Sequence, residues 1–381
     1  MTLIYLVAGE QSGDVLGARL MQALRAARPD LEFAGIGGPL MTAQGLAPLF
    51  PMRELAVMGL LEVLPKLRHL AALLRAAAED IAAKRPDVLV TIDSPGFTLR
   101  LLERVKHLGL KRAHYVAPQV WGWRESRVKK FPGLWDRLLC LLPFEPAYFA
   151  RHGLAADFVG HPVLESGADT GDAARFRAAH AIAPGAPVLI LMPGSRRSEV
   201  SRLLPIFGQA LALLAERIPG IVPVLPVASA VAETVMAAAA NWPTKPIIVT
   251  DIAAKHDAFA AASAALTKSG TSTLELAMAG VPMAVAYRVN PLTAVIAKLL
   301  VRVKYAAMVN LLADREIVPE MIQWTCTPER LVTEISRLLT DPTTAATQRT
   351  AFAEVLATLR PTSGKSPAGA AADSILFLLD G

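Results

Sequence analysis

Short apolar runs alternate with amphipathic helical patterns along most of the chain. The apolar runs predict strands at 3–8, 32–36, 87–92, 113–117, 137–142 and 157–159, and then at 187–192, 221–227, 246–250, 263–267 and 282–287. Helical patterns between them include 66–84, 97–108, 200–218, 229–241 and 271–279. Strands that alternate with helices predict parallel sheets joined by right-handed crossovers.

The length of 381 residues exceeds what one hydrophobic core usually holds, so two domains are expected. The periodicity weakens between 162 and 186, where Gly, Asp, Ala and Pro accumulate. We therefore predict a first α/β domain over 1–165 and a second over 186–345. The last segment, 346–381, is mostly helical and is expected to pack back on the first domain.

Composition narrows the class of protein. A hydrophobic content of 53% with 19% charged residues excludes a disordered chain. Cys140 and Cys326 lie far apart, and the seven histidines show no metal-ligand spacing, so we expect a reduced compartment and no catalytic metal. No secretory pattern or spanning apolar run is visible, which favours a cytoplasmic chain. The net charge of +6 suits nucleic acid, an anionic membrane or phosphorylated substrates.

The start of the chain predicts one wall of a ligand site. An apolar run over 3–8 breaks into a turn that contains Gly9, Ser12 and Gly13, and a helical pattern follows. A helix N-terminus carries free N–H groups and partial positive charge. In open α/β sheets, ligands bind at this edge, beyond the carboxyl ends of the strands.

Two strand-to-helix turns of the second domain are candidates for diphosphate binding. In the first, Gly194 and Ser195 can aim N–H groups at a phosphate, and Arg196 can bind two of its oxygens. The Gly-Lys-Ser/Thr ending of a Walker loop is missing. The alternative is an ordinary turn with solvated arginines.

The second turn repeats this logic with Ser269, Gly270 and Thr271 at a helix start. Glu275 lies about one turn into the helix, where its carboxylate could accept both hydroxyls of a ribose. The alternative is an N-cap followed by an acid that favours the helix dipole. Two such turns in one domain favour nucleotide diphosphate binding.

Asp93 emerges at the carboxyl end of the apolar strand before Ser94-Pro95-Gly96. A carboxylate there can be a general base for a hydroxyl nucleophile. It can equally cap the helix that begins near Phe97, and spacing alone favours the cap.

Aromatic and basic residues interleave over 121–135, which holds three of the five tryptophans and four basic side chains. This pattern suits single-stranded nucleic acid, a lipid interface or a partly buried loop. The segment 58–70 is apolar, contains several basic residues and is interrupted by Pro65, and 297–305 has a similar character. Each suits a membrane or acyl-chain contact, although core packing is the more common role.

Nine short segments, in order, resemble the lipid-A-disaccharide synthases. The matching segments are 8–14, 54–59, 92–95, 116–121, 142–145, 160–162, 193–196, 269–271 with Glu275, and 310–312. They span residues 3 to about 323, and the ordered set is far more specific than any single motif.

The resemblance implies an inverting glycosyltransferase with two Rossmann-like doubly wound domains that face a cleft, the GT-B architecture. Members of the family transfer 2,3-diacylglucosamine from UDP to 2,3-diacylglucosamine 1-phosphate, which makes the β-1,6-linked disaccharide precursor of lipid A. They work peripherally at the cytoplasmic face of the inner membrane. No metal or cofactor is expected, and a homodimer is compatible with the sequence.

The resemblance also assigns roles to residues. Asp93 becomes the general-base candidate. The diphosphate and nucleotide set is Gly194, Ser195, Arg196, Ser269, Gly270, Thr271, Glu275 and Asn310. The sugar and acceptor set is Ser12, Gly13, Gln119 and His161, of which His161 could instead fix its turn. The membrane or acyl-chain set is Met58, Leu60, Leu61, Leu64, Trp121, Trp123 and Arg124.

Two positions depart from the family pattern. Lys268 stands where a small residue is common, and Asp314 stands where glycine is common. Both concern the shape of the nucleotide site.

Three other functions remain open. A UDP-N-acetylglucosamine 2-epimerase would share the architecture but would not need the greasy 58–70 segment. An NAD-dependent dehydrogenase needs a Gly-x-Gly-x-x-Gly fingerprint that the first turn lacks. A peripheral lipid- or RNA-binding protein would use the positive charge alone.

Overall fold

The computed structural model describes residues 2–55, 60–122, 125–291, 294–295 and 303–381, with the backbone alone over 60–67. It divides into two compact units. The first comprises Met1–Pro162 with Leu359–Gly381, and the second comprises Val163–Thr358. The boundary thus lies at the start of the predicted linker. Residues 346–358, expected to cross back with the rest of the C-terminal segment, stay with the second unit.

Thirteen strands are present in the described residues. The strands are β1 (Thr2–Ala8), β2 (Leu31–Ile36), β3 (Ala47–Pro48), β4 (Val88–Ile92), β5 (Lys111–Tyr115), β6 (Arg137–Cys140), β7 (Ala156–Phe158), β8 (Val188–Met192), β9 (Val222–Pro226), β10 (Ile247–Val249), β11 (Ala264–Lys268), β12 (Met283–Tyr287) and β13 (Glu320–Ile322). All eleven predicted strands are confirmed within about two residues at each end. The sequence pattern does not predict the two-residue strand β3 or the three-residue strand β13, which begins with the charged Glu320.

The described α-helices number fourteen. The helices are α1 (Gln11–Ala27), α2 (Pro39–Ala43), α3 (Leu60–Lys84), α4 (Pro95–Val105), α5 (Glu145–Ala150), α6 (Ala173–Ala179), α7 (Arg197–Arg217), α8 (Ala232–Ala239), α9 (Ile252–Ala261), α10 (Ser272–Met278), α11 (Met308–Ala313), α12 (Pro328–Thr340), α13 (Pro342–Thr358) and α14 (Pro367–Asp380). Short 3-10 helices lie between some of them, such as Glu125–Lys130.

The first unit is built on a seven-stranded sheet of order β3-β2-β1-β4-β5-β6-β7, and every strand pair in it is parallel. Its central strands β1 and β4 are almost wholly apolar because helices cover both faces of the sheet. Helix α14 completes one face, where Ala371 and Ile375 are fully buried in the same cluster as Leu20 of α1. The end of the chain therefore forms part of the first unit's core.

The second unit is built on a six-stranded parallel sheet of order β10-β9-β8-β11-β12-β13. Helices α7 and α12 cover one face, where Phe207 and Ile335 are fully buried. The predicted fold class, two doubly wound parallel-sheet domains, is confirmed for both units.

Candidate active site

In each sheet the strand order reverses at one point. The first sheet reverses between β1 and β4, and the second reverses between β8 and β11. A crevice opens at such a switch point beyond the carboxyl ends of the strands, and ligands bind there. The turns after these four strands hold Gly9, Asp93, Ser195 and Gly270. The sequence motifs thus lie at the switch points of their own sheets.

The turn after β1 is packed closely against the turn after β4. A Cβ atom on Gly9 would lie 2.7 Å from Oγ of Ser94, so glycine is required there for close approach. Asp14 is buried, and its carboxylate accepts hydrogen bonds from the backbone N–H groups of Gly38, Leu40 and Met41 at 2.9–3.0 Å. Asp14 therefore fixes the neighbouring β2–α2 turn.

Asp93 and Ser94 are both left-handed, with φ of +48° and +45°. This conformation costs non-glycine residues free energy, and such backbone strain is often found at functional sites. The backbone holds it in place: the N–H of Asp93 donates to the carbonyl of Tyr115 at 2.9 Å. The hydroxyl of Thr98 donates to the carbonyl of Asp93 at 2.6 Å. The turn lifts Asp93 out of the strand direction.

The carboxylate of Asp93 is not used to cap α4. The N-cap of that helix is Ser94, which makes no side-chain capping hydrogen bond. Asp93 is half-buried, and burial raises the pKa of its carboxyl, with Glu10 raising it further and the N–H of Ser94 lowering it. A carboxyl with a raised pKa is a better proton acceptor once it is ionised, as a general base requires.

The sugar and acceptor candidates divide into exposed and buried residues. Ser12, in the first turn of α1, and Gln119 are exposed. Gly13 is buried, and a Cβ atom there would lie 3.3 Å from Cβ of Ala8, so its role is close packing of α1 on β1. His161 is 6% exposed, and its backbone N–H donates to the carbonyl of Leu359 at 3.1 Å. Burial lowers the pKa of His161 to about 4. Gly13 and His161 therefore have structural roles in the first unit, and their expected sugar contacts remain predictions.

In the second unit, the turn after β8 differs from the expectation in one respect. Oε2 of Glu199 accepts hydrogen bonds from the N–H groups of Ser195 at 3.2 Å and Arg196 at 3.4 Å. Gly194 has φ of +121°, and a Cβ atom there would lie 2.5 Å from Oε2 of Glu199. The amide of Ser195, which was expected to face a phosphate, thus faces a carboxylate together with the amide of Arg196. The guanidinium of Arg196 is exposed and remains the candidate anion-binding group of this turn.

The turn after β11 lies beside it, because Thr267 of β11 pairs with Met192 of β8. Ser269 is anchored, since its hydroxyl donates to the carbonyl of Ala306 at 2.6 Å. Gly270 has φ of +151°, which favours glycine. Thr271 precedes α10 and is exposed.

Glu275, in the first turn of α10, is partly exposed. Its Oε1 accepts a hydrogen bond from Nζ of Lys255 at 3.0 Å. The ribose-binding candidate is therefore a carboxylate already paired with a lysine.

Asn310 does not reach the surface. Its Oδ1 accepts from the N–H groups of Ile317 at 2.7 Å and Val318 at 2.9 Å. Its Nδ2 donates to the carbonyl of Val318 and to Oε1 of Glu320, both at 2.8 Å. The carboxamide can make no further strong hydrogen bond. The expected nucleotide contact of Asn310 is therefore wrong, and the residue is structural.

Glu320 links Asn310 to the second turn, a connection that sequence reasoning missed. Its two oxygens accept the N–H groups of Ala306 and Ala307 at 2.9 Å each. The carbonyl of Ala306 in turn accepts the hydroxyl of Ser269. Only its place in the missed strand β13 could have pointed to Glu320. Asp314 has φ of +48°, the conformation that glycine favours, so this departure leaves the turn left-handed.

The Trp-rich segment is anchored inward at its described ends. The indole N–H of Trp121 donates to Oε1 of buried Glu145 at 3.1 Å. The ring packs edge-on against Phe144 at 5.0 Å between centroids. Trp135 is buried and stacks on His114. Trp121 thus anchors the segment through its indole N–H while its ring stays partly exposed, and its expected lipid contact remains a prediction.

The remaining membrane candidates lie outside what the structure describes. Met58, Trp123 and Arg124 are outside the described residues, and for Leu60, Leu61 and Leu64 only the backbone of α3 is described. In the described part, Arg127, Lys129 and Lys130 are exposed. None of the described helices is long and apolar enough to span a bilayer. Among described side chains, no group of three His, Cys, Asp or Glu could hold a metal ion.

Comparison with known proteins gives a consistent result. Residues 4–373 match the family model of lipid-A-disaccharide synthetase. The chain is 61% identical over 378 residues to the lipid-A-disaccharide synthase of Gluconobacter oxydans, covering 99% of this chain and 91% of that protein. It is 59% identical to the synthase of Granulibacter bethesdensis, covering 99% and 98%.

Solved structures share the fold at low identity. A UDP-GlcNAc 2-epimerase from Neisseria meningitidis bound to UDP-GlcNAc superimposes with a TM-score of 0.66 at 11% identity, covering both chains fully. The glycosyltransferase of kitacinnamycin gives 0.65 at 18% identity, covering 99% of each chain. These likenesses show the fold alone, so the epimerase alternative rests on no more than a shared architecture. The family match and the near-complete curated relatives show that the chain belongs to the lipid-A-disaccharide synthase family.

Proposed function

We propose that the chain performs an inverting transfer in which Asp93 is the general base and the second unit binds the UDP leaving group. The donor is UDP-2,3-diacylglucosamine and the acceptor is 2,3-diacylglucosamine 1-phosphate. The acceptor 6-hydroxyl gives its proton to the Asp93 carboxylate while its oxygen attacks the anomeric carbon. The bond from that carbon to the diphosphate oxygen breaks, UDP leaves with the electron pair, and the new linkage is β-1,6.

The position and environment of Asp93 give this proposal its main support. It stands at the switch point of the first sheet, in a left-handed conformation held by Tyr115 and Thr98. Burial raises the pKa of its carboxyl, and this carboxyl does not cap helix α4. A core carboxylate would be paired or fully buried instead.

We assign stabilisation of the negative charge on the departing diphosphate to the second unit. The Arg196 guanidinium, whose side chain is 65% exposed, can give two parallel hydrogen bonds to phosphate oxygens. The turn of Ser269, Gly270 and Thr271 lies on the adjacent strand and faces the same edge. Glu275 is assigned to the ribose. With these groups the transfer needs no metal ion and no cofactor.

Peripheral attachment at the cytoplasmic face of the inner membrane is part of the proposal. Both substrates are acylated, so their reacting sugars stay at the bilayer surface. Arg127, Lys129 and Lys130 form an exposed basic patch, and Arg68 near the start of α3 is also exposed. Basic groups near an anionic bilayer add about 1 kcal/mol each, and the apolar 58–70 segment would supply insertion. A homodimer remains an expectation, which sedimentation tests.

A product assay tests the reaction. Purified protein is given synthetic diacylated donor and acceptor with a chelator present, and UDP and disaccharide are measured. We expect equal amounts of both, with no UDP released when the acceptor is omitted. Epimerisation of the donor or UDP release without acceptor would reject the transfer reaction. Loss of turnover in chelator would reject its independence of metal ions.

Vesicle flotation tests the membrane surface. We expect Leu60→Glu/Leu61→Glu and Arg127→Glu/Lys129→Glu to leave the lipid fraction of anionic vesicles. The control Arg217→Glu/Arg330→Glu lies on exposed second-unit positions and changes net charge as much as Arg127→Glu/Lys129→Glu does, so it should float like the parent. Equal recovery of all variants would reject the assigned surface.

A further inference from the structure

Lys268 joins the two turns of the second unit's switch point. It is the last residue of β11 and lies one position before the Ser269 turn. Its Nζ lies 3.1 Å from Oε1 of Glu199, which belongs to the other turn. The same Nζ would lie 3.0 Å from a Cβ atom on Gly270. One ammonium therefore touches both candidate diphosphate turns.

This ammonium has donors to spare. A lysine ammonium carries three N–H donors, and Glu199 is the ion-pair partner that the described residues provide. The side chain is 18% exposed, so it is held in place yet still reaches solvent. A fixed, partly desolvated cation binds phosphate more strongly than a mobile surface lysine does.

Glu199 makes a cation necessary at this position. Its carboxylate occupies the N–H groups of Ser195 and Arg196, so the first turn presents a negative group where a diphosphate would arrive. Arg196 also approaches Glu199, at 3.6 Å between Nη1 and Oε1. Arg196 alone would have to balance the negative charges of both the Glu199 carboxylate and the diphosphate. A second cation between the turns supplies the positive charge that is still needed.

We propose that Lys268 is a second diphosphate-binding cation that contacts the phosphate oxygens directly while Glu199 holds its ammonium between the two turns. The inference rests on the proposed UDP site and adds a residue to it. It also gives Glu199 two tasks, which are to shape the first turn and to position the lysine.

A double-mutant cycle separates direct contact from neutralisation of Glu199. UDP affinity is measured calorimetrically for the parent, Lys268→Met, Glu199→Gln and the double variant. Direct contact predicts that Lys268→Met weakens UDP binding about tenfold in the parent, and still at least about threefold in Glu199→Gln, whose carboxamide oxygen can accept the ammonium. Mere neutralisation predicts that the loss disappears when Glu199 is already Gln, which would overturn the proposal. Binding within twofold of the parent in Lys268→Met would also overturn it.

Two controls keep the result interpretable. Lys268→Arg retains the charge and should keep UDP affinity within about threefold, since phosphate contacts tolerate either cation in part. Lys245→Met removes an exposed lysine that donates to the carbonyl of Ala240, and it should bind as the parent does. Should Lys268→Met not fold, Lys268→Gln takes its place. Absence of UDP binding in the parent would reject the nucleotide site itself, whereas binding without disaccharide formation would reject the reaction alone.

Discussion

The indole nitrogen of Trp121 lies 3.1 Å from Oε1 of Glu145, inside the first unit. Oε2 of the same carboxylate accepts the N–H groups of Leu141 at 3.1 Å and Leu142 at 3.0 Å. One buried acid thus ties the start of the Trp-rich segment to the end of β6. The segment is basic and exposed further along, but here it is fixed to the core.

This contact predicts a pH-dependent stability. Burial outweighs the three hydrogen bonds and raises the pKa of Glu145 from 4.5 to about 7. The folded state then binds the proton more tightly than the unfolded chain, so its contribution is complete below pH 4.5 and is lost as pH rises through about 7. The difference amounts to at most about 3 kcal/mol.

Urea unfolding at several pH values measures this contribution. The free energy of unfolding of the parent should fall between pH 5 and 7.5 relative to that of Glu145→Gln, which cannot ionise. Parallel pH profiles for the two proteins would contradict the assignment. Trp121 fluorescence should follow the same titration.

Asn310 and Arg196 should affect UDP binding in different ways. Asn310→Ala removes four buried hydrogen bonds and leaves Glu320 partly unpaired, so the free energy of unfolding should fall by about 2–4 kcal/mol. UDP binding should weaken only through displacement of the Ser269 turn. Equal stability of Asn310→Ala and the parent would contradict this role.

Arg196→Ala should show the reverse pattern. Its guanidinium is exposed, so stability should stay within about 0.5 kcal/mol while UDP affinity falls about 10- to 100-fold. Arg196→Lys should recover only part of the affinity because it cannot bind two oxygens in parallel. Calorimetry with UDP and urea unfolding on the same samples check both effects.

The C-terminal helix should be essential for the first unit. Ile375 of α14 is fully buried, and Ile375→Ala should cost about 2–5 kcal/mol. Phe377, on the same helix, is 68% exposed and lies under the guanidinium of Arg137 at 5.6 Å. Phe377→Ala should cost no more than about 1 kcal/mol. Similar losses for both variants in urea unfolding would contradict the packing described.

Sequence patterns predicted the two parallel sheets because long apolar strands between amphipathic helices leave few topologies. They also placed Asp93, Arg196 and the Ser269 turn after strands, but only the observed strand order shows that these strands flank the switch points. They failed at Asn310 and did not distinguish site from packing roles at Gly13, His161 and Trp121, whose residue types suit either a site or a core. Only the packing around each of these side chains decides between the two.

The occupied amides of Ser195 and Arg196 could not be read from the sequence either. A glutamate in the first turn of a helix usually indicates an interaction with the helix dipole. Here the carboxylate of Glu199 instead accepts hydrogen bonds from the backbone of the preceding turn. The same geometry gives Lys268 its place. Such contacts depend on the conformation of Gly194, which a motif does not specify.

Glu10 should tune the base. It is a like charge that helps to raise the pKa of Asp93, so Glu10→Gln should lower that pKa. Activity carried by an ionised base rises with pH through its pKa. The acidic limb of the kcat/KM profile should therefore move to lower pH in Glu10→Gln. A limb that stays in place would show that another group limits the rate there.

Turnover of Asp93→Asn, measured as disaccharide formed from diacylated donor and acceptor, tests the central assignment most directly. The account predicts a fall of about 100- to 10,000-fold in kcat, with UDP affinity and stability close to those of the parent. Turnover within a few-fold of the parent, at unchanged UDP affinity, would show that Asp93 is not the base.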